Sequence, residues 1–227
     1  MANNNEANEE IIVNKLSDFQ IRENEELLNY KIILVGDSGV GKSSFLKRAV
    51  HNIFTENYQA TIGFEFLLLF YEINGIKIKL QIWDTCGQEM YRSLIQGFFR
   101  NTSLALLLYS VDDQNSFNNL NEWLKDIKNN NETGMPIFLI ANKVDLNNEF
   151  KIVDKQSGEK YVELNNLQYF SEASAKTGYK IDEIFIEVAK YLYKNVYLLG
   201  KNKLKKLTMG LDKNKENEPI EEKKFCC

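Results

Sequence analysis

The sequence predicts an α/β fold in which a mostly parallel sheet is covered by helices on both faces. Three observations carry this expectation. Strand-like and helix-like segments alternate between about residues 30 and 196, the pattern of parallel βαβ units. Several strand-like segments, such as Leu104 to Tyr109, are nearly continuous apolar runs, as strands buried on both faces require. The first strand runs straight into a glycine-rich turn in KIILVGDSGVGKSS (Lys31 to Ser44), which places a loop at a strand's carboxyl end, where open α/β sheets bind ligands.

The expected strands cover 31–35, 64–73, 76–83, 104–109, 137–141 and 168–171. Asn74-Gly75 between the second and third is a strong hairpin signal, because both residues tolerate the positive φ angles of a tight turn. Helices are expected over 42–50, after Glu89, and over 116–128, 154–164 and 181–196. Ahead of these, residues 1–29 carry seven acids against two bases, net −5, and are rich in Asn. Within 11–28 the spacing of Ile12, Leu16 and Phe19 suggests a short helix. Residues 197–227 carry eight lysines against five acids, net +3, and the stretch DKNKENEPIEEKK reads as a linker.

Composition excludes several classes. A net charge of −4 leaves no basic footprint for nucleic acid. No run approaches ~20 apolar residues, and the polar N-terminus MANNNEANEE is unlike a secretory signal. Ala2 stands where myristoylation needs glycine. Three cysteines, Cys86, Cys226 and Cys227, make no disulfide framework, and a reducing cytosolic setting fits them best.

Five motifs carry chemistry. In Gly36-Asp37-Ser38-Gly39-Val40-Gly41-Lys42-Ser43-Ser44, the glycines let the backbone approach phosphate oxygens, and the amides of the loop and first helical turn converge on the anion. Lys42 supplies charge to β- and γ-phosphates, and the Ser43 hydroxyl can ligate Mg²⁺. After the hairpin comes Asp84-Thr85-Cys86-Gly87-Gln88. Asp84 is placed to hold a Mg²⁺-bound water, the Gly87 amide to approach a γ-phosphate, and Gln88 to orient an attacking water. Read alone, Asp84 has a helix N-cap as its alternative. Asn142-Lys143-Val144-Asp145 follows a third strand end; a carboxylate at Asp145 can accept from guanine's N1–H and 2-amino group, donors that adenine lacks, with the Lys143 stem along the base. Ser174-Ala175-Lys176 after the last strand offers a backbone amide to the base O6. Thr61, in the loop between the first helix and the second strand, can give Mg²⁺ a second hydroxyl, although alone it is an ordinary β-branched residue entering a strand.

In this order the motifs resemble the Ras superfamily of small GTPases over about residues 30–196, and most closely the Rab branch. The sequences TIGFEF, KLQIWDT followed by GQE, and the Cys-Cys pair carry that likeness. The resemblance implies a P-loop nucleotide-binding fold with a six-stranded, mostly parallel sheet, and GTP or GDP bound with Mg²⁺. It implies that Asp37 to Ser44 hold the phosphates, that Ser43, Thr61 and, through water, Asp84 serve the metal, and that Gly87 senses the γ-phosphate. Gln88 and Lys42 would act in hydrolysis. Asn142, Lys143, Asp145, Ser174, Ala175 and Lys176 would hold guanine, with Phe54 against the base or, equally, packed as a helix-end core residue. Cys86 departs from the family's usual Ala, a small swap expected to leave hydrolysis intact.

The resemblance further implies slow intrinsic turnover, since no internal arginine finger is evident, and partners to govern it: an exchange factor, a GTPase-activating protein, effectors, a GDP-dissociation inhibitor and prenylation enzymes. Two prenyl chains on Cys226 and Cys227 would anchor the chain to the cytoplasmic face of an intracellular membrane, where one chain anchors only marginally. The expected role is a switch in vesicle traffic that cycles with the cytosol. A GTP-bound scaffold that scarcely hydrolyses is the main alternative, and an ATPase or kinase a more distant one.

Overall fold

The computed structural model describes residues 11–22, 25–56, 64–85, 97–131 and 134–201. Thr61, Cys86, Gly87, Gln88, Cys226 and Cys227, and the helix expected after Glu89, lie outside these residues. The chain divides into two units, 1–190 and 191–227. In the second, the described part is helical, with a π-helix over Tyr193–Leu198 in which the Tyr193 and Tyr197 rings stack at 5.5 Å. No described helix is long and apolar enough to cross a membrane.

The first unit is built on one sheet. Its strands are β1 (Val13–Leu16), β2 (Leu28–Val35), β3 (Phe64–Ile73), β4 (Ile76–Thr85), β5 (Leu104–Ser110), β6 (Ile137–Asn142) and β7 (Tyr169–Glu172). They lie in the order β1-β3-β4-β2-β5-β6-β7. From β4 to β7 every neighbour is parallel; β3 pairs antiparallel with both β4 and β1. The α/β class expected from the sequence is the class observed.

The helices are α1 (Lys42–His51), α2 (Gln114–Asn118), α3 (Leu120–Asn129), α4 (Lys155–Asn165) and α5 (Ile181–Leu192). Strand alternation divides the core between two faces. Ile33, Val35, Leu107, Tyr109, Leu139 and Ala141 face α3 residues Leu120, Trp123, Leu124 and Ile127. Ile32 and Leu34 are equally buried and, by alternation, face the opposite side, where Phe45 of α1 meets Phe185 of α5 at 5.5 Å. Parallel strands sandwiched this way must be apolar on both faces, and β5 is buried at all seven positions.

Two expectations need correction. The sheet has seven strands, not six, and the seventh comes from the segment expected to be helical. Val13 to Leu16 pairs with Ile73 to Phe70, and Asn74 exchanges hydrogen bonds with Ile12. An uncovered β3 edge would present a row of unpaired amides and carbonyls, and an extended segment satisfies them as a helix cannot. The β-branched run Ile11-Ile12-Val13 favours the same outcome. Ser17 and Gln20 then close a capping box over a 3₁₀ turn, Asp18–Gln20. Lys15 fastens the strand, donating to Ala49 O at 2.9 Å at the end of α1 and pairing with Asp182 at 2.5 Å at the start of α5. Similarly, Lys77 holds Glu25 at 2.8 Å. The helix expected over 116–128 is interrupted at Asn119, which separates α2 from α3.

Deleting residues 1–17 should therefore uncover the β3 edge and cost about 1–2 kcal/mol, a fall in Tm of about 2–8 °C for a chain of this size. A thermal melt of the truncated chain checks this; an unchanged midpoint would show that β1 contributes nothing to the sheet.

Candidate functional site

All the parallel strands deliver their carboxyl ends to one side of the sheet. There the loops after β2, β5, β6 and β7 converge with the end of β4, and the strand order reverses around β2. The glycine-rich loop joins β2 to α1. Gly36 is at φ +142°, and a Cβ built there would stand 2.2 Å from the Leu108 carbonyl oxygen on β5. Gly41 is at φ +93°, and its Cβ would meet the Asn142 side-chain nitrogen at 2.5 Å. Both positions therefore exclude every residue but glycine, for steric as well as conformational reasons.

The loop curls around the Lys42 ammonium, which donates to Gly36 O at 2.8 Å and Asp37 O at 2.7 Å while the residue is only 5% exposed. A buried cation at a helix N-terminus is a ready site for a polyanion. Beneath the loop, both carboxylate oxygens of Asp37 accept hydrogen bonds at 2.7 Å, one from Trp123 Nε1 and one from Asn119 Nδ2. At the junction of α2 and α3, Asn119 keeps right-handed helical angles (φ −72°, ψ −7°) while its side-chain amide reaches the loop.

Ser43 Oγ donates to Asp84 Oδ2, and Thr85 Oγ1 donates to Leu34 O at 2.7 Å, so the end of β4 is fixed to the start of α1 and to β2. Asp84 is fully buried, and its Oδ1 has no hydrogen-bond partner among the described residues. Burial pushes its carboxyl above the usual carboxylate range, opposed in part by the Ser43 hydroxyl and the Lys42 charge. A buried carboxylate oxygen without a donor, beside a serine hydroxyl, suits a hard divalent cation and its water shell.

On the other flank, Asn142 ends β6, buried to 1% exposure. Its Nδ2 donates to Val40 O at 2.8 Å, and its Oδ1 accepts from the Ala175 amide at 3.2 Å. One side chain thus joins the loop after β2 to the loop after β7. Lys143 takes φ +67° and reaches Asp112 at 3.4 Å. Ser174 Oγ donates to Asp145 Oδ1 at 2.5 Å and accepts from the Thr177 amide at 3.1 Å. Lys176, exposed, pairs with Glu56 at 3.2 Å, and Phe54 lies half-buried just past the end of α1.

A family model described as the Ras family matches residues 31–194. That match runs from within β2 through β7, taking in the clasped loop and both flanking loops, and leaves out β1. The chain belongs to the Ras superfamily of small GTPases, in its Rab branch. "Ras-related protein RABE1e" of Arabidopsis thaliana is 38% identical over 160 residues, covering 70% of this chain and 73% of that protein. "Ras-related protein RABE1d" of the same plant is also 38% identical over 160 residues, covering 70% and 74%. The "Ras and EF-hand domain-containing protein" of Danio rerio is 38% identical over 213 residues, covering 89% of this chain but only 32% of that longer protein.

Within this small GTPase, the described members of the expected set, Asp37 to Ser44, Asp84, Asn142 to Asp145 and Ser174 to Lys176, stand around one end of the sheet. The structure adds residues that sequence reasoning missed: Trp123 and Asn119 below the phosphate loop, Asp112 beside Lys143, and Arg48. None of these has a local signal, because each acts across a long sequence separation. An aromatic group lies farther along the sheet. The Phe64 and Phe98 rings are 4.0 Å apart, Trp83 and Phe98 5.4 Å, and Phe66 stacks on Trp83 at 5.3 Å. Phe64 and Phe66 are exposed. Lys31 lies over Trp83 at 5.4 Å and donates to Phe98 O at 2.6 Å, and burial holds its ammonium below the ordinary lysine range.

Trp123→Phe keeps the ring in the core but deletes the donor to Asp37. It should cost about 1.5–3 kcal/mol, the value of a hydrogen bond to a charged acceptor, read by denaturant unfolding. Equal stability of the two proteins would show that the clasp carries no weight.

Proposed function

We propose that the chain binds GTP and GDP with Mg²⁺, hydrolyses GTP slowly, and uses the two nucleotide states to switch contacts with partners in membrane traffic. The observation that carries this reading is the Asn142 bridge, which ties the glycine-rich loop at Val40 to the loop after β7 at Ala175, beside Asp145.

In this reading the amides from Asp37 to Ser44 and the Lys42 ammonium take the phosphates. The free edge of the Asp145 carboxylate takes the N1–H and 2-amino group of guanine, with Ser174 fixing the other side; the stems of Lys143 and Lys176 cover the base, and Phe54 borders it. Ser43 and Thr61, with Asp84 acting through water, would hold Mg²⁺, which offsets charge on the β- and γ-phosphates. Gln88 orients a water whose oxygen bonds to the γ-phosphorus as the bond to the β–γ bridging oxygen breaks, leaving GDP and phosphate. Lys42 stabilises the charge that develops on that leaving oxygen. Loss of the γ-phosphate frees Thr61 and Gly87, and with them the segments flanking the Phe64, Phe66, Trp83 and Phe98 patch, the proposed effector surface.

Catalysis without an arginine supplied by a partner is expected to be slow, on the order of 10⁻⁴–10⁻³ s⁻¹. Regulation by an exchange factor and a GTPase-activating protein follows. Cys226 and Cys227, on a polar segment with lysines, are the proposed prenyl attachment sites, and a GDP-dissociation inhibitor would carry the lipidated form through the cytosol.

Single-turnover hydrolysis of bound GTP tests the reading. The wild-type chain should release phosphate at the slow rate given, and Gln88→Leu should slow it at least about tenfold without releasing the nucleotide. Tight GTP binding with no hydrolysis by the wild type would favour the scaffold alternative. Absence of binding would overturn both. Asp145→Asn should shift preference from guanine to xanthine nucleotides; unchanged guanine selectivity would remove Asp145 from the base site.

A further inference from the structure

Arg48 stands on α1, six residues beyond Lys42. Its guanidinium is half-buried and makes four hydrogen bonds. Nη1 donates to Asn52 O and Asn52 Oδ1, both at 3.0 Å, at the residue that caps its own helix. Nε donates to Ala175 O at 2.9 Å, and Nη2 donates to Lys176 O at 2.6 Å. A planar fork anchored on the helix end thus grips two successive carbonyls of the loop after β7.

In a trans peptide the carbonyl and the following amide point in opposite directions, so holding one aims the other. Arg48 on Lys176 O turns the Thr177 amide away from α1, and that amide donates to Ser174 Oγ at 3.1 Å. Ser174 Oγ in turn donates to Asp145 Oδ1 at 2.5 Å. Likewise, Arg48 on Ala175 O turns the Lys176 amide away from α1. The contacts form one chain from Arg48 through the Lys176–Thr177 peptide and Ser174 to the Asp145 carboxylate.

From these contacts we propose that Arg48 is a specificity-determining positioning residue: it sets the orientation of Asp145 for the guanine 2-amino group without touching the nucleotide. This rests on the guanine-site reading above. Rising 1.5 Å per residue, α1 spans about 9 Å between Lys42 and Arg48, so one rigid helix ties the phosphate end of the site to its base end. A lysine on the same stem could not make this grip, because an ammonium lacks the fork that reaches two carbonyls and Asn52 together.

The test compares release of GDP and of IDP, which lacks the 2-amino group, from the full chain with Mg²⁺. The wild type should hold GDP more tightly. Arg48→Met, which keeps the apolar stem, should reduce the GDP-over-IDP preference roughly threefold to tenfold, chiefly by faster GDP release. Arg48→Lys should move the preference in the same direction and serves where Arg48→Met does not fold. An unchanged preference, or equal acceleration of GDP and IDP release, would overturn the proposal, since a merely structural role weakens both nucleotides alike. A wild-type chain that binds neither nucleotide, or binds both equally, would overturn the guanine reading on which the proposal rests.

Discussion

The arrangement of the site depends on a single buried amide. Asn142 ends β6, one strand in from the β7 edge of the sheet, and satisfies a carbonyl of the loop after β2 and an amide of the loop after β7. Buried backbone groups left without partners cost about 1–3 kcal/mol each, so the side chain is committed to both contacts. The steric fit is equally confining, since only glycine at position 41 leaves room for the Asn142 amide group. Asparagine suits this place because one group carries both a donor and an acceptor. Aspartate would present two acceptors to Val40 O, and leucine would satisfy neither loop.

Around this bridge the phosphate loop is held from below as well as from the side. Asp37 is a carboxylate placed among groups that otherwise attract anions, and its two oxygens are engaged by N–H donors of Asn119 and of Trp123 on α3. Lys42 folds back on the loop carbonyls of Gly36 and Asp37. The loop is therefore held by contacts of its own charged residues, and such holding lowers the ordering cost of binding. Asp84 differs, because it retains one buried oxygen without a donor among the described residues. Its environment favours a cation, and the fold carries that destabilising feature for the sake of the site.

Much of this was legible in the sequence, and the limits of legibility have a physical pattern. The buried strands declared themselves because parallel strands covered on both faces must be apolar throughout, and β5 is the clearest case. The Asn74-Gly75 turn declared itself because only such residues accept its backbone angles, and both lie at positive φ. The Gly36–Ser44 loop was readable for the same local reason. What escaped was non-local. The N-terminal segment has helix-compatible spacing at Ile12 and Leu16, yet it becomes a strand because β3 offers an unpaired edge. Trp123 reads as a core residue of an amphipathic helix, which it is, but the polar edge of its ring also reaches a carboxylate 86 positions away. Arg48 reads as a solvated helical cation and instead grips carbonyls 127 and 128 residues distant.

The central claim is that one amide joins a phosphate cradle to a base cradle and makes them a single nucleotide site. Calorimetric titration of GDP into wild type and Asn142→Ala, at matched Mg²⁺, tests it most directly. The account predicts that the variant remains folded by circular dichroism and binds GDP about 100-fold or more weakly, as two buried backbone groups lose their partner. Folded Asn142→Ala binding GDP as tightly as the wild type would contradict it.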